Sequence, residues 1–335
     1  MDAVITYVDG LDPLWRADYE KAVGGKLNEK RFRDWGTLRY LLRGIRRFMP
    51  YIDNVYLVVA RSSQVPQWAS PNLKIVLHKD IIPAHLLPAF NSTAIEMFLH
   101  RIPGLSEQFI YFNDDFFPVA PSRAEDFFRD GKAVMKHSRN FLALNMFKKQ
   151  TRASDRLAKS AAGASGWGFM RPQHICSPML RSCSEELYAK KEQEILSLVT
   201  PLRKPFNVNQ YIYTDYLYYT GRTIQQSRSK RHFSLAATSI AEIESFLSAP
   251  TAQFACINDV NMPHEKYLEC RRRLIAAFEK LLGEPCDLEK AEEQEHRQEK
   301  AEVPRQETAE VPRQETAEEQ EPQPAKAQSQ EPRKA

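Results

Sequence analysis

The chain has 335 residues, 42% of them hydrophobic and 10% aromatic, enough to bury a sizeable core in one large domain or two modest ones. No apolar run approaches the roughly 18 residues of a membrane span, and the amino terminus, MDAVITYVDG, has no basic-then-apolar leader. Five cysteines (Cys176, Cys183, Cys256, Cys270, Cys286), odd in number and without a CxxC pair, indicate neither a disulfide framework nor a zinc ribbon, so a reducing cytoplasm is the default expectation.

In chain order, 3 to 8 (AVITYV) is β-rich and nearly all apolar, as a buried parallel strand is. It stops at Asp9-Gly10, with Asp12-Pro13 continuing the turn. A strand this early is the usual opening of a nucleotide-binding α/β unit and would point Asp9 at the ligand crevice, although an Asp before Gly is equally an ordinary turn residue. Leu38, Leu41, Leu42, Ile45 and Phe48 recur at helical spacing from Thr37 to Met49, and Pro50 stops the helix. Strands follow at 55–60 (VYLVVA) and 73–77 (LKIVL), and this alternation argues for a parallel sheet with right-handed crossovers. Thr93 and Glu96 have capping-box spacing, so a helix is expected to run to about Arg101.

The chain then enters FIYFNDDFF, Phe109 to Phe117, an apolar strand that ends in Asn113, Asp114 and Asp115. Ligands collect outside the carboxyl ends of strands in an open α/β sheet, and paired carboxylates there suit a hard divalent cation carrying substrate phosphates. A solvated turn uses the same residue types, and the local residues leave both readings open.

Beyond Pro118 the pattern predicts a short helix at 124–129, a strand at 133–136 and a polar stretch through Ser165. The segment 163–169 (GASGWGF) lacks both GxGxxG and the Lys-Ser/Thr end of a phosphate loop; it reads as a mobile acceptor-side loop with Trp167 as an aromatic platform. Helices are expected at 182–199 and 208–219, a short strand at 254–257 ending in Asn258-Asp259, and a helix at 264–282 closed by Gly283 and Pro285. The clusters Arg43, Arg46, Arg47 and Arg271 to Arg273 read as solvated helix faces.

Residues 291–335 carry 12 acidic and 7 basic side chains with no aromatic, Leu or Ile, and repeat AEVPRQET at 301–308 and 309–316. Burial cannot offset the ordering entropy of such a segment, so it is expected as a disordered low-complexity tail behind a domain over 1–290. Without it the chain keeps 40 of its 47 basic and 31 of its 43 acidic side chains, a net of +9 that favours anionic partners without choosing among them.

Four blocks together resemble the Stealth phosphotransferases, bacterial capsule and exopolysaccharide enzymes related to the animal N-acetylglucosamine-1-phosphotransferase. They are MDAVITYVDGLDPLW at the start; RFRDWGTLRYLLRGI at 31–45 with VYLVVA, VPQW and LLPAFNSTAIEMFLHRIPGLSEQFIYFNDDFF; QHICSPMLRSCSEEL with TPLRKPF and NQYIYTDYLYY; and CINDVN with FEKLLGEPCDLEK. The third block departs from the family around Ile175, Cys176 and Ser177 and again at 200–206. The resemblance implies a single Rossmann-like, GT-A-like α/β domain. The implied reaction moves hexose 1-phosphate or N-acetylhexosamine 1-phosphate from a UDP-sugar to a glycan hydroxyl, releasing UMP, with Mg2+ or Mn2+ as cofactor. It implies further that Asp114, Asp115, His174 and Arg203 carry the chemistry and that Asp115, Asn258 and Asp259 hold metal. Asp9, Gly10, Arg39 and Asn91 would contact substrate. His174 suits a general base and Arg203 a phosphate clamp. The expected partners are the donor and a glycan acceptor, with no nucleic acid, and peripheral association with a membrane capsule-assembly complex at the inner face. Two other readings remain beside it: a metal-dependent glycosyltransferase releasing UDP, and a non-enzymatic basic module binding nucleic acid or anionic lipid.

Overall fold

The computed structural model describes residues 1–27, 32–258 and 262–291. β1 (Asp2–Thr6), buried at every position, is the middle strand of the main sheet. A helix the sequence reading missed follows at once: α1 (Pro13–Val23) starts on Asp12, whose Oδ1 accepts from the amides of Leu14 and Trp15, with Pro13 in the first turn. Next come α2 (Leu38–Phe48), β2 (Asn54–Val59), β3 (Leu73–Leu77), the short helices α3 (His78–Ile81) and α4 (Ser92–Glu96), and β4 (Gln108–Asn113). β2 and β4 flank β1 in parallel, with Thr6 opposite both Val58 and Asn113, and β3 extends the sheet beyond β2. α4 begins on Asn91, whose Oδ1 accepts from the Thr93 amide, and not on Thr93; it ends at Glu96, so that side chain turns inward instead of closing a capping box.

The second half of the chain comprises β5 (Phe116–Pro118), β6 (Phe128–Arg129), β7 (Lys132–Val134), β8 (His137–Asn140), α5 (Met146–Ala162), β9 (Phe169–Pro172), β10 (Ser177–Leu180), α6 (Arg181–Leu198), α7 (Tyr211–Tyr219), β11 (Thr223–Ile224), β12 (Lys230–Ser234), α8 (Ile240–Ser248), β13 (Phe254–Asn258) and α9 (His264–Leu282). β10 closes the main sheet antiparallel to β4, giving the order β10-β4-β1-β2-β3. The α/β class with a mostly parallel sheet is therefore the observed one. The expected helix at 124–129 is only a turn of 3-10 helix followed by β6, and α5 occupies most of what reads as a polar stretch.

Side chains alternate across the sheet. Ala3, Ile5, Leu57, Ile110 and Phe112 face a core shared with α2 and α9, while Val4, Tyr56, Phe109 and Tyr111 face one shared with α6 and α7. Arg43 departs from the solvated face expected of it: it is buried, its guanidinium forked onto both carboxylate oxygens of Glu289 at 2.7 and 2.9 Å, with Nη1 donating to the carbonyls of Leu282 and Gly283. Arg46 pairs with Asp287 and Arg47 donates to the Leu281 carbonyl, so this face of α2 is the seam for the end of α9 and the segment after it. The boundary near 290 and the tail remain expectations, because 292–335 lie outside the described residues.

Candidate active site

Asp114 and Asp115 are the two turn residues between β4, in the main sheet, and β5, which pairs with β13 in a separate three-stranded sheet. The turn stands where the chain changes sheets, at the carboxyl ends of β1 and β4. It is fastened from the second sheet: the Ile257 amide donates to the Asp115 carbonyl at 3.0 Å, and Asn258 Nδ2 to Asp115 Oδ2 at 2.6 Å. Asp115 Oδ1 is shut off from solvent and has no hydrogen-bond partner among the described residues, while Asp114 is exposed. Burial, then the neighbouring Asp114 charge, pushes the Asp115 carboxyl up to about 7 against the hydrogen bonds from Cys256 and Asn258.

These residues border a cleft of about 540 Å³. Thr6, Tyr7, Asn113, Asp114 and Asp115 line it from the strand ends, Asn258 from β13, His174 from the turn between β9 and β10, and Arg203 from the loop before α7. Topology thus gathers five of the expected residues, Asp114, Asp115, His174, Arg203 and Asn258, from four distant stretches.

His174 is half-buried, its ring set between Phe116 and Phe147 with centroids 5.1 and 5.4 Å away, and its Nδ1 lies 2.9 Å from Tyr211 Oη. Burial, followed by the positive charge of Lys230 and by His232 and Arg171, lowers its pKa to about 4, so the ring is neutral at pH 7. Arg203 donates through Nη2 to Ser92 Oγ at 2.6 Å, which seats its exposed side chain over the start of α4.

The other expected residues are placed differently. Asp9 caps a local turn, its Oδ1 accepting from the Leu11 amide, and it does not line the cleft. Gly10 is buried where a Cβ would come within 2.1 Å of the Phe32 carbonyl, so it lets 32–35 approach the cleft wall. Asn91 is buried and bonded to Asn207 and Thr93. Arg39 lies over the Trp68 ring, 3.8 Å from Glu289, outside the lining. Asp259 falls outside the described residues.

The cleft also holds groups the sequence reading did not single out for chemistry. Glu96 is buried and accepts from the Gln210 amide at 2.7 Å; Tyr111 Oη stands 3.4 Å from its other oxygen and 2.9 Å from Thr6 Oγ1. Burial raises its pKa, opposed by the Gln210 amide and by the Arg203 charge. Asp34 and Trp35 form another part of the wall, Asp34 accepting from the Gly36 amide through Oδ1. The one signal for Glu96 was its place three residues after Thr93, which pointed to a cap.

No cluster of three His, Cys, Asp or Glu side chains suited to an ion is present among the described residues. A magnesium-type ion needs only one or two carboxylates when substrate phosphates complete its shell. Asp115, with a buried unpartnered oxygen and a carboxyl that resists ionising alone, fits such a cation, with Asp114 and Asn258 adjoining it.

Residues 31–136 match Stealth protein CR2, conserved region 2. The receptor polysaccharide phosphotransferase WefC of Streptococcus oralis is 44% identical over 140 residues, 39% of this chain and 42% of its own length. A capsular polysaccharide phosphotransferase WcwK of Streptococcus pneumoniae is 41% identical over a stretch of the same size. The chain thus spans about two fifths of the length of these relatives. Another capsular polysaccharide phosphotransferase WcwK of Streptococcus pneumoniae aligns at 28% identity over 304 residues, 77% of this chain and 90% of that one. Among solved structures, galactosyltransferase LgtC in complex with donor and acceptor sugar analogs covers 81% of this chain and 95% of its own at 12% identity, with a TM-score of 0.36, too low to carry a conclusion.

Proposed function

We propose that this chain, which carries Stealth conserved region 2 and is a relative of bacterial polysaccharide phosphotransferases, transfers a sugar 1-phosphate from a UDP-sugar to a glycan hydroxyl in capsular or exopolysaccharide synthesis. The observation that carries the reading is the convergence of Asp114, Asp115, Asn258, His174 and Arg203 on one cleft at the strand ends. In the reaction the acceptor oxygen bonds to the sugar-bearing phosphorus, the bridging P–O bond to the nucleoside phosphate breaks, and UMP leaves with that oxygen. The work for the protein is positioning and charge stabilisation.

Arg203 meets the phosphoryl oxygens with a planar donor fork. His174 receives the acceptor proton: in the tautomer whose Nδ1–H donates to Tyr211 Oη, Nε2 is left to accept it. At a pKa of about 4 the empty site is a weak base, and the negative diphosphate next to it raises that basicity. Asp115, held by Asn258, and Asp114 would supply carboxylate oxygens to Mg2+ or Mn2+, and such a cation, when bound, would supply Lewis-acid neutralisation of the diphosphate. This reading puts the enzyme at the cytoplasmic side, because a nucleotide-sugar donor is met there.

A panel of UDP-sugars, incubated with the protein, divalent cation and glycan acceptor, tests the reading by the nucleotide released. UMP is expected; UDP would convert the assignment to glycosyl transfer, and no turnover with any donor would remove it.

A further inference from the structure

Five large apolar side chains stand in water in two short segments: Phe141 64% exposed, Leu142 67%, Leu144 78%, Met146 43% and Trp167 88%. The register of β8 with β9 puts Asn140 opposite Phe169, so 141–146 leaves and 163–168 enters at the same end of one ladder. The two loops touch: a Cβ on Gly168 would lie 3.1 Å from the Phe141 ring and 2.5 Å from the Asn140 carbonyl. Scattered single exposed hydrophobics need no explanation, but five on adjoining loop tips form a patch that a water-soluble surface ordinarily avoids.

The charge beside the patch says what covers it. α5 begins at Met146 and shows solvent Lys149, Arg152 and Arg156, at helical spacing along one face, while Thr151, Ser154 and Ala158 are buried on the other. Across 136–171 there are eight basic residues and one acidic, the buried Asp155. No ion pair to Lys149, Arg152 or Arg156 forms among the described residues. An apolar tip containing Trp, Phe and Leu next to a basic helical face is the pattern that seats a protein on an anionic lipid surface. The segment 292–335 is a poorer occupant, since it is acidic but offers no aromatic, Leu or Ile to the apolar tips. No helix of the described residues is long and apolar enough to cross a membrane, so the contact would be interfacial.

We propose that the 141–146 and 163–168 loop tips, with the basic face of α5, form an interfacial docking surface for an anionic lipid bilayer. Phe147 and Gln150, in the first two turns of the same helix, line the cleft, so docking would hold the cleft mouth close to the bilayer. The surface does not rest on the reaction proposed above, and its test reads no catalysis.

The full chain should be sedimented with vesicles of phosphatidylglycerol and phosphatidylcholine, and with phosphatidylcholine alone, at low and physiological salt. Binding is expected only to the anionic vesicles. The pair Leu142→Ser and Leu144→Ser should weaken it at least about tenfold, and Lys149→Glu with Arg152→Glu should abolish it, with unchanged far-UV dichroism in both. Blue-shifted emission on vesicle addition, absent in Trp167→Phe, would place the indole in the interface. No binding to anionic vesicles at low salt overturns the proposal, as does binding that the serine pair leaves intact. A wild type that binds no vesicles but self-associates through this patch, the serine pair being monomeric, also overturns it.

Discussion

Asp115 illustrates how a single residue's setting makes testable chemistry. Burial and the Asp114 charge push its carboxyl from an ordinary 3.8 up to about 7 in the folded protein, so the fold prefers the protonated form. That contribution is fully present below about pH 4 and is lost as the pH rises to 7. In chelator, Asp115→Asn should therefore lose less thermal stability than wild type between pH 4 and pH 8; parallel melting curves across that range would remove the argument from burial. Added Mg2+ should raise the wild-type melting temperature at pH 8 and leave the Asn variant unmoved, because only a ligand of the folded carboxylate stabilises by mass action. His174 has the opposite sign: its folded pKa of about 4 lies below the ordinary 6.5, so stability from the neutral ring is full above pH 6.5 and lost as the pH falls toward 4. His174→Gln is expected to lower kcat by about 10²–10⁴-fold with little change in KM for the nucleotide sugar; a change confined to KM would make it a binding residue. Adjacent carboxylates after an apolar run are a local pattern, which is why Asp114 and Asp115 stood out in the sequence. Glu96, Tyr211 and Gln210 did not, because their place in the cleft depends on contacts across more than thirty residues of chain.

At the scale of elements, apolar periodicity made α2, β3 and α9 legible, and β3 and α9 have the same limits in sequence and structure. It was silent for α5, whose buried face sets Gln150, Thr151, Ser154 and Asp155 beside Ala158, three of the four polar side chains hydrogen-bonded to other parts of the fold and Thr151 to its own helix. A helix whose inner face is mostly polar, with small alanines beside it, has only a faint hydrophobic stripe to read. α1 was hidden by its own cap, since Asp-Pro reads equally as a turn. Gly44 shows what the close approach of two elements demands: a Cβ there would lie 2.5 Å from the Pro118 carbonyl, so α2 sits directly against β5. Gly44→Ala should force them apart and cost about 1–3 kcal/mol. Because β5 follows Asp115 immediately, turnover should fall more steeply than stability, as chemical denaturation and nucleotide release measured on one preparation would reveal.

Across the whole molecule, the seam between α2 and the segment after α9 is the least sequence-like feature, because an arginine-rich helix face ordinarily signals water. Arg43 and Glu289 are buried together, and a carboxylate stranded by Arg43→Ala should destabilise the fold by about 3–5 kcal/mol. Replacing both partners with apolar residues of similar volume should recover most of that loss; a double variant as unstable as the single one would show the backbone contacts to Leu282 and Gly283 to be the larger part. The α/β class could be read from alternating strands and helices. The second sheet could not, since it joins β5 to β12 and β13, which lie more than a hundred residues further along the chain.

The loop that carries Arg203 is laced down from several sides. Asn207 bonds to Asn91 and Thr200 and reaches the Leu198 carbonyl, the Phe90 amide donates to the Pro201 carbonyl, and Gln150 donates to the Lys204 carbonyl. A loop already immobilised in the empty protein surrenders little freedom when a ligand arrives. Asn91→Ala should therefore leave the enthalpy of nucleotide-sugar binding nearly unchanged and make its entropy more unfavourable, a difference that titration calorimetry resolves. Asn91 would then govern affinity from a distance, as the residue that settles the loop's disorder at the time of folding.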